Sequence, residues 1–167
     1  FEQDGFIGEC HKDILPSLKN GRLRGLSQEV ATAQDRVLSR GRHKVVVLDF
    51  SIGNSTQSAA VKSFGLQQPW KDRYDKKRGS KAARSYIAAR FLENHNIQTP
   101  RPLAYLERWE KNKLVDAYYI STYIAELSSF KAKLADIYES RGPCINLVDL
   151  LKDVGTAMRV MHDAGFY

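Results

Sequence analysis

Cysteine is scarce in this chain of 167 residues: Cys10 and Cys144 stand alone, and neither belongs to a Cys-x-x-Cys pair. Two isolated thiols argue against a disulfide framework and for a reducing compartment. No apolar run approaches the ~18 residues of a membrane span. No basic-then-apolar leader opens the sequence, so nothing in it points to secretion. Asn54-Ser55-Thr56 fits a glycosylation acceptor, but without a leader it reads as a turn. No Gly-x-x-x-x-Gly-Lys-Ser/Thr string occurs, which excludes a P-loop nucleotide site. His11, His43 and His95 are scattered, without the spacing of metal ligands. Repeats and low-complexity tracts are missing as well.

What is present describes a folded protein. Hydrophobic residues make up 43% and charged residues 27%, a globular rather than a disordered balance. The length suits one domain with a real core, or part of a larger one. The formal charge is +7, unevenly spread. Between residues 71 and 90 lie Lys71, Arg73, Lys76, Lys77, Arg78, Lys81, Arg84 and Arg90, against only Asp72 and Asp75. Such a block favours an anionic partner (phosphate, nucleic acid or an acidic lipid surface) or else forms a solvated helix face and linker.

Along the chain, residues 1–29 show Gly and Pro breaks and no sustained period. From Glu29 onward the pattern predicts strands: "HKVVVLDF" is β-branched, "SIGN" is a turn cluster, and "SAAVKSF" completes a hairpin. A helix follows, with Ser80 as N-cap and Ala83, Tyr86, Ile87 and Phe91 at helical spacing. Asn96 suits the left-handed residue that ends it, and Ile97 the hydrophobic contact beyond. "TPRP" must be extended. "LAYLERW" and "LVDAYYISTYI" predict two more strands around the turn "EKNK". "LSSFKAKLADIYES" is one amphipathic helix. The last helix is the clearest, with Asn146 as N-cap and Asp149 in its first turn. Its stripe of Leu147, Leu150, Leu151, Val154, Met158 and Met161 reads as core packing, and Gly165 as its end. The plan is α+β, an antiparallel sheet with one inserted helix, followed by helices.

Lys62 is the anomaly, a cation inside an apolar strand. On a strand it points away from the face that Val61 and Ser63 share. It either reaches solvent or, under a covered face, needs an anionic partner.

The stretches "RVLSRGRHKVVVLDF", "AAVKSFG", "GSKAARSYIAARFLENHNIQTPRPLAYLE", "YYISTYIAE" and "LVDLLKDVGTAMRVMHDAGFY" resemble, in order, the lipopolysaccharide kinase family. That family has a protein-kinase-like fold and phosphorylates Kdo or heptose core sugars. The resemblance spans about residues 36–167. It implies a small lobe with hinge over 30–125, the start of a helical large lobe over 126–167, and an unclear segment 1–29. It implies that Lys62 is the catalytic-site lysine reaching the α- and β-phosphates of ATP. Ser39, Arg40, Gly41 and Arg42 would form the phosphate-covering loop, with one glycine where typical protein kinases have three. Gly41 is equally readable as an ordinary hairpin glycine. Thr122, Tyr123, Ile124 and Ala125 would meet the adenine edge, with Ser121 at the back of the pocket.

Two departures stand out. Kinases pair the strand lysine with a Glu on the inserted helix, yet residues 80–92 hold no acid. Ser85, Tyr86 and Ile87 fill the plausible positions; either Glu93, the helix's one acid, substitutes, or Lys62 goes unpaired until nucleotide arrives, or the protein is a degenerate kinase. Second, the His-x-Asp catalytic loop and the Mg-binding Asp are expected beyond Tyr167, so this chain reads as a window on a longer protein and as inactive alone. His162 and Asp163 are no substitute, because a histidine in a last helical turn is favourable anyway. The resemblance therefore implies ATP and Mg as cofactors. It also implies an anionic lipid-linked sugar as substrate, and a cytoplasmic place, peripheral at the inner face of the membrane. The missing helix acid keeps a non-catalytic kinase-like binding module open. A nucleic-acid-binding domain built on the 71–90 block is less favoured, since only Trp70, Tyr74 and Tyr86 lie near those cations.

Overall fold

Seven antiparallel strands form one sheet in the computed structural model, which describes residues 1–19, 21–41, 43–64, 77–139 and 145–166. The strands are β1 (Glu2–Gln3), β2 (Phe6–Cys10), β3 (Val37–Arg40), β4 (Lys44–Ile52), β5 (Ser55–Ser63), β6 (Pro102–Glu110) and β7 (Lys113–Thr122). Their spatial order is β1-β2-β6-β7-β5-β4-β3. The described residues add five helices: α1 (Leu15–Lys19), α2 (Arg22–Thr32), α3 (Lys81–Asn94), α4 (Phe130–Glu139) and α5 (Ile145–Asp163). This is an α+β protein. The chain divides into two units, Phe1–Phe91 with Pro100–Tyr123, and Leu92–Thr99 with Ile124–Tyr167.

In the first unit both faces of the sheet are covered. One face carries Val46, Phe50, Val61, Leu106 and Ile120, packed in one cluster with Leu18, Leu23, Leu26 and Val30 of α1 and α2. The residues of α2 recur at helical spacing, and Gly21 before it takes a left-handed φ of 75°, which glycine adopts without cost. Pro16 in the first turn of α1 and this glycine sit at helix ends, so the breaks that hide a period in residues 1–29 are boundaries. Residues 29–32 are a correction: they close α2 rather than open a strand, because Val30 continues its buried stripe. Gly8 has a steric reason of its own. A Cβ there would lie 2.0 Å from the Tyr105 backbone oxygen, so only glycine lets β2 approach β6 this closely.

The other face packs a smaller cluster of Phe64, Leu114 and Ala117 with Ala82 of α3. Ser80 caps that helix, its Oγ accepting from the Ala83 N–H at 3.1 Å. Asn96 ends it at φ 56°. The N–H of Ile97 reaches the Leu92 carbonyl at 2.9 Å and that of Asn96 the Glu93 carbonyl at 3.0 Å, the bond pair of a Schellman motif. Its buried residues are Ala82, Ala83, Tyr86 and Ala89, whereas Ile87 is 58% exposed.

In the second unit α4 is capped by Ser129, whose Oγ accepts from Ala132 N–H. Helix α5 starts at Ile145, which puts Asn146 inside the first turn rather than at the cap. Gly165, at φ 83°, ends it with the paired bonds Gly165 N–H to His162 and Phe166 N–H to Met161. The stripe on α5 is not core: Leu151 is 51% and Met158 48% exposed. No helix among the described residues is long and apolar enough to cross a membrane.

Candidate functional site

The register of the sheet decides which side chains share a surface with Lys62. Cross-strand partners point the same way, and Lys62 pairs with Val45 on β4 and Tyr119 on β7. Ser39 pairs with Val45, and Tyr105 with both Tyr119 and Glu9. One rung therefore runs Ser39, Val45, Lys62, Tyr119, Tyr105, Glu9 across six strands. Neighbouring strands are about 4.8 Å apart, so Ser39 lies about 10 Å from the lysine backbone. The next rung places Val47, Ala60 and Ser121 side by side, and the one after it Asp49 and Ser58.

Lys62 thus lies on the α3 side of the sheet, half-buried. Its ammonium sits 5.0 Å from the centre of the Phe64 ring. Among the described residues of the first unit no carboxylate forms an ion pair with it. On α3, Ser85 is half-buried and Tyr86 is buried with its ring 5.4 Å from that of Tyr105. Glu93 belongs to the second unit. Among the described residues of the first unit the one buried carboxylate is Glu107, which accepts from the Ser80 N–H at 3.3 Å and from Trp109 Nε1 at 2.8 Å. It anchors the start of α3 and is committed there.

Of the loop residues, Ser39 and Gly41 are exposed. A Cβ at Gly41 would meet only Ser39 Oγ, at 3.9 Å, so the backbone does not demand glycine there. Arg40 closes β3 opposite Lys44; Arg42 falls outside the described residues. Ser121 is buried. The N–H of Thr122 donates to the Arg101 carbonyl and that of Tyr123 to the Ser58 carbonyl. Ile124 and Ala125 belong to the second unit. Beside this run, Arg36 donates to Asp49 at 2.7 Å and to Ser58 at 2.8 Å. The Arg36 guanidinium, and after it the Ser58 hydroxyl, holds the Asp49 carboxyl below its usual range.

Of the basic block, residues 71–76 fall outside the described residues. Lys77 and Arg78 are exposed, while Lys81, Arg84 and Arg90 of α3 are half-buried. Arg90 lines, with Glu9, His11, Lys12 and Tyr86, an open cleft of about 670 Å³ at the β2 edge. Glu9 is three strands from Lys62, about 14 Å, so this cleft shares the lysine's face but lies away from it. Among the described residues no three His, Cys, Asp or Glu side chains gather as a metal site.

Residue-by-residue reading missed Phe64, Tyr119, Ala60 and His43, whose ring lies 4.9 Å from that of Phe64. Counting by twos from Lys62 would have found Ala60 and Phe64; Tyr119 and His43 need the cross-strand register. No protein-family model, curated protein or solved structure matches this chain.

Proposed function

We propose that this chain is the nucleotide-binding part of an ATP-dependent kinase of the lipopolysaccharide core-sugar type. The reaction would pass the γ-phosphoryl group to a hydroxyl of Kdo or heptose: the hydroxyl oxygen bonds to phosphorus, the bond to the β-phosphate oxygen breaks, and ADP leaves. The observation that carries the reading is where Lys62 sits. It stands on the middle strand of the run β3-β4-β5-β7-β6, on the face that packs α3, the helix inserted between β5 and β6. An antiparallel sheet with one inserted helix, which the sequence resemblance implies, supports this reading. A strand holds the ammonium where phosphate charge is bound. Ala60, half-buried one rung away, offers an apolar surface for a base. The Thr122 and Tyr123 N–H groups are already bonded, so neither is an open donor for an adenine edge.

In this reading Ser39, Arg40, Gly41 and Arg42 cover the phosphates, and the catalytic base and Mg-binding acids lie in sequence after Tyr167. The basic block would face an anionic lipid-linked sugar at the cytoplasmic side of a membrane. A second reading, a kinase-like module that binds nucleotide without phosphotransfer, is favoured by one observation: Lys62 contacts an aromatic ring where kinases supply a carboxylate.

Calorimetric titration of Mg-ATP into this chain, and a phosphotransfer assay on the full-length protein, test both. ATP binding with turnover that falls about 100-fold or more in Lys62→Met supports the kinase. Binding without turnover in the full-length protein selects the module. Absence of ATP binding in both removes the two together.

A further inference from the structure

Lys62 and its neighbours pose a physical problem that the kinase reading leaves unsolved. A flexible four-carbon side chain must hold its ammonium in one place. Elsewhere in the fold a cation is held by a carboxylate, as Arg36 is by Asp49. For Lys62 the partner among the described residues of the first unit is an aromatic ring, with Nζ 5.0 Å from the Phe64 ring centre, within the range of a cation–π contact.

The ring is itself unusually well fixed. Phe64 follows β5 directly, and its N–H donates to the Ala117 carbonyl at 2.9 Å, which extends the ladder by one residue. The side chain is 5% exposed and packs with Ala82 of α3 and with Leu114 and Ala117 of β7. The His43 ring, just after the 39–42 loop, lies 4.9 Å away and tilted by 55°. One aromatic ring therefore touches the lysine, the helix behind it and the strand that leaves the loop.

We propose that Phe64 is the positioning residue for Lys62, orienting the ammonium through its ring face in place of a helix carboxylate. This rests on the reading of Lys62 as a phosphate-binding group. The difference from an ion pair is chemical. A carboxylate neutralises the lysine it orients, whereas a ring quadrupole orients it and leaves the whole positive charge for the incoming phosphate. Contact with Ala82 also ties the lysine's position to the start of α3 rather than to its middle turn.

The test uses inorganic tripolyphosphate as the probe, titrated into this chain, with NMR of lysine labelled at Cε. The Lys62 signal is identified by its loss in Lys62→Met. In the unaltered chain its Cε protons are expected upfield, shielded by the ring. Phe64→Leu and Phe64→Met keep apolar volume without a π-face, and are expected to abolish that shift and to weaken tripolyphosphate about five-fold. Phe64→Tyr restores the ring and is expected to keep both shift and affinity. Packing alone would not separate Tyr from Met in this way.

An unshifted Lys62 signal in the unaltered chain overturns the inference, and so does tripolyphosphate affinity unchanged in the Leu and Met variants. Tyr behaving like Leu overturns it too. If Lys62→Met binds tripolyphosphate as well as the unaltered chain, the phosphate reading itself falls and takes this inference with it. That failure is recognised because the ring shift survives.

Discussion

The two faces of the sheet are built on different terms. The face under α1 and α2 is filled by large aliphatic and aromatic side chains, with Phe50, Leu103, Leu106, Val61 and Ile120 at or below 1% exposed. The face under α3 meets a helix whose buried residues are three alanines and one tyrosine. Beneath that thin cover lie Lys62, Tyr105, Tyr119 and Glu107, each with a polar end. The first face is closed by large, mostly apolar side chains and supplies the rigidity. The second keeps polar groups at a fixed register on a scaffold that the first holds still.

Breaking the dry face should give the largest effect. Phe50→Ala deletes a ring that is 1% exposed and stacked under the Arg22 guanidinium at 4.7 Å. A loss of about 3–5 kcal/mol is expected in urea unfolding. A loss below 1 kcal/mol would mean that this face is not the stabilising one.

On the polar face, Glu107→Leu is expected to cost about 2 kcal/mol, because it leaves the buried Ser80 N–H and the partly buried Trp109 Nε1 without their acceptor. The same unfolding experiment, followed by tryptophan fluorescence, checks it. An unchanged midpoint would show that the start of α3 does not depend on this carboxylate.

The effect that is smallest near neutral pH is a pH dependence on the α1–α2 side. Burial, the main cause, pushes the Tyr118 phenol up to about 12 from its ordinary 10, with Asp116 adding to it and the Ser27 hydrogen bond opposing it. The folded state thus favours the protonated phenol. Its contribution is complete below pH 10 and is lost as pH rises from 10 through about 12. Tyr118→Phe has no proton to release and should lose less stability across that window. Parallel curves for the two proteins between pH 9 and about 12 would remove Tyr118 as the cause.

Strands β4 to β7 and helix α3 were legible because each is a local signal: β-branched runs, the Ser80 cap, the Asn96-Ile97 ending. The polar ring network of the α3 face was not. Tyr105, Tyr119 and Lys62 are 14 to 57 positions apart in sequence and become neighbours only through cross-strand register. Helix α2 was hidden because Gly21 and Gly25 read as breaks by local propensity, although its stripe of Leu23, Leu26 and Val30 keeps helical spacing. The stripe on α5 was legible as amphipathic but not as exposed, since amphipathicity says that a face seeks cover and not whether it has found it.

A seven-stranded sheet has two margins where backbone groups invite a foreign strand. Here neither margin offers a long ladder. On one side β1 is two residues long. On the other β3 covers only the first part of β4 and carries a register irregularity at Val37–Ser39. The uncovered stretch of β4 is not left open. Val47 N–H donates to the Arg36 carbonyl and Gly53 N–H to the Asp13 carbonyl, while Ser51 N–H reaches Ser17 Oγ. The segment that reads as shapeless in the sequence, residues 11–19, thus acts as a selvedge: it finishes the fabric along the strand most exposed to unwanted pairing.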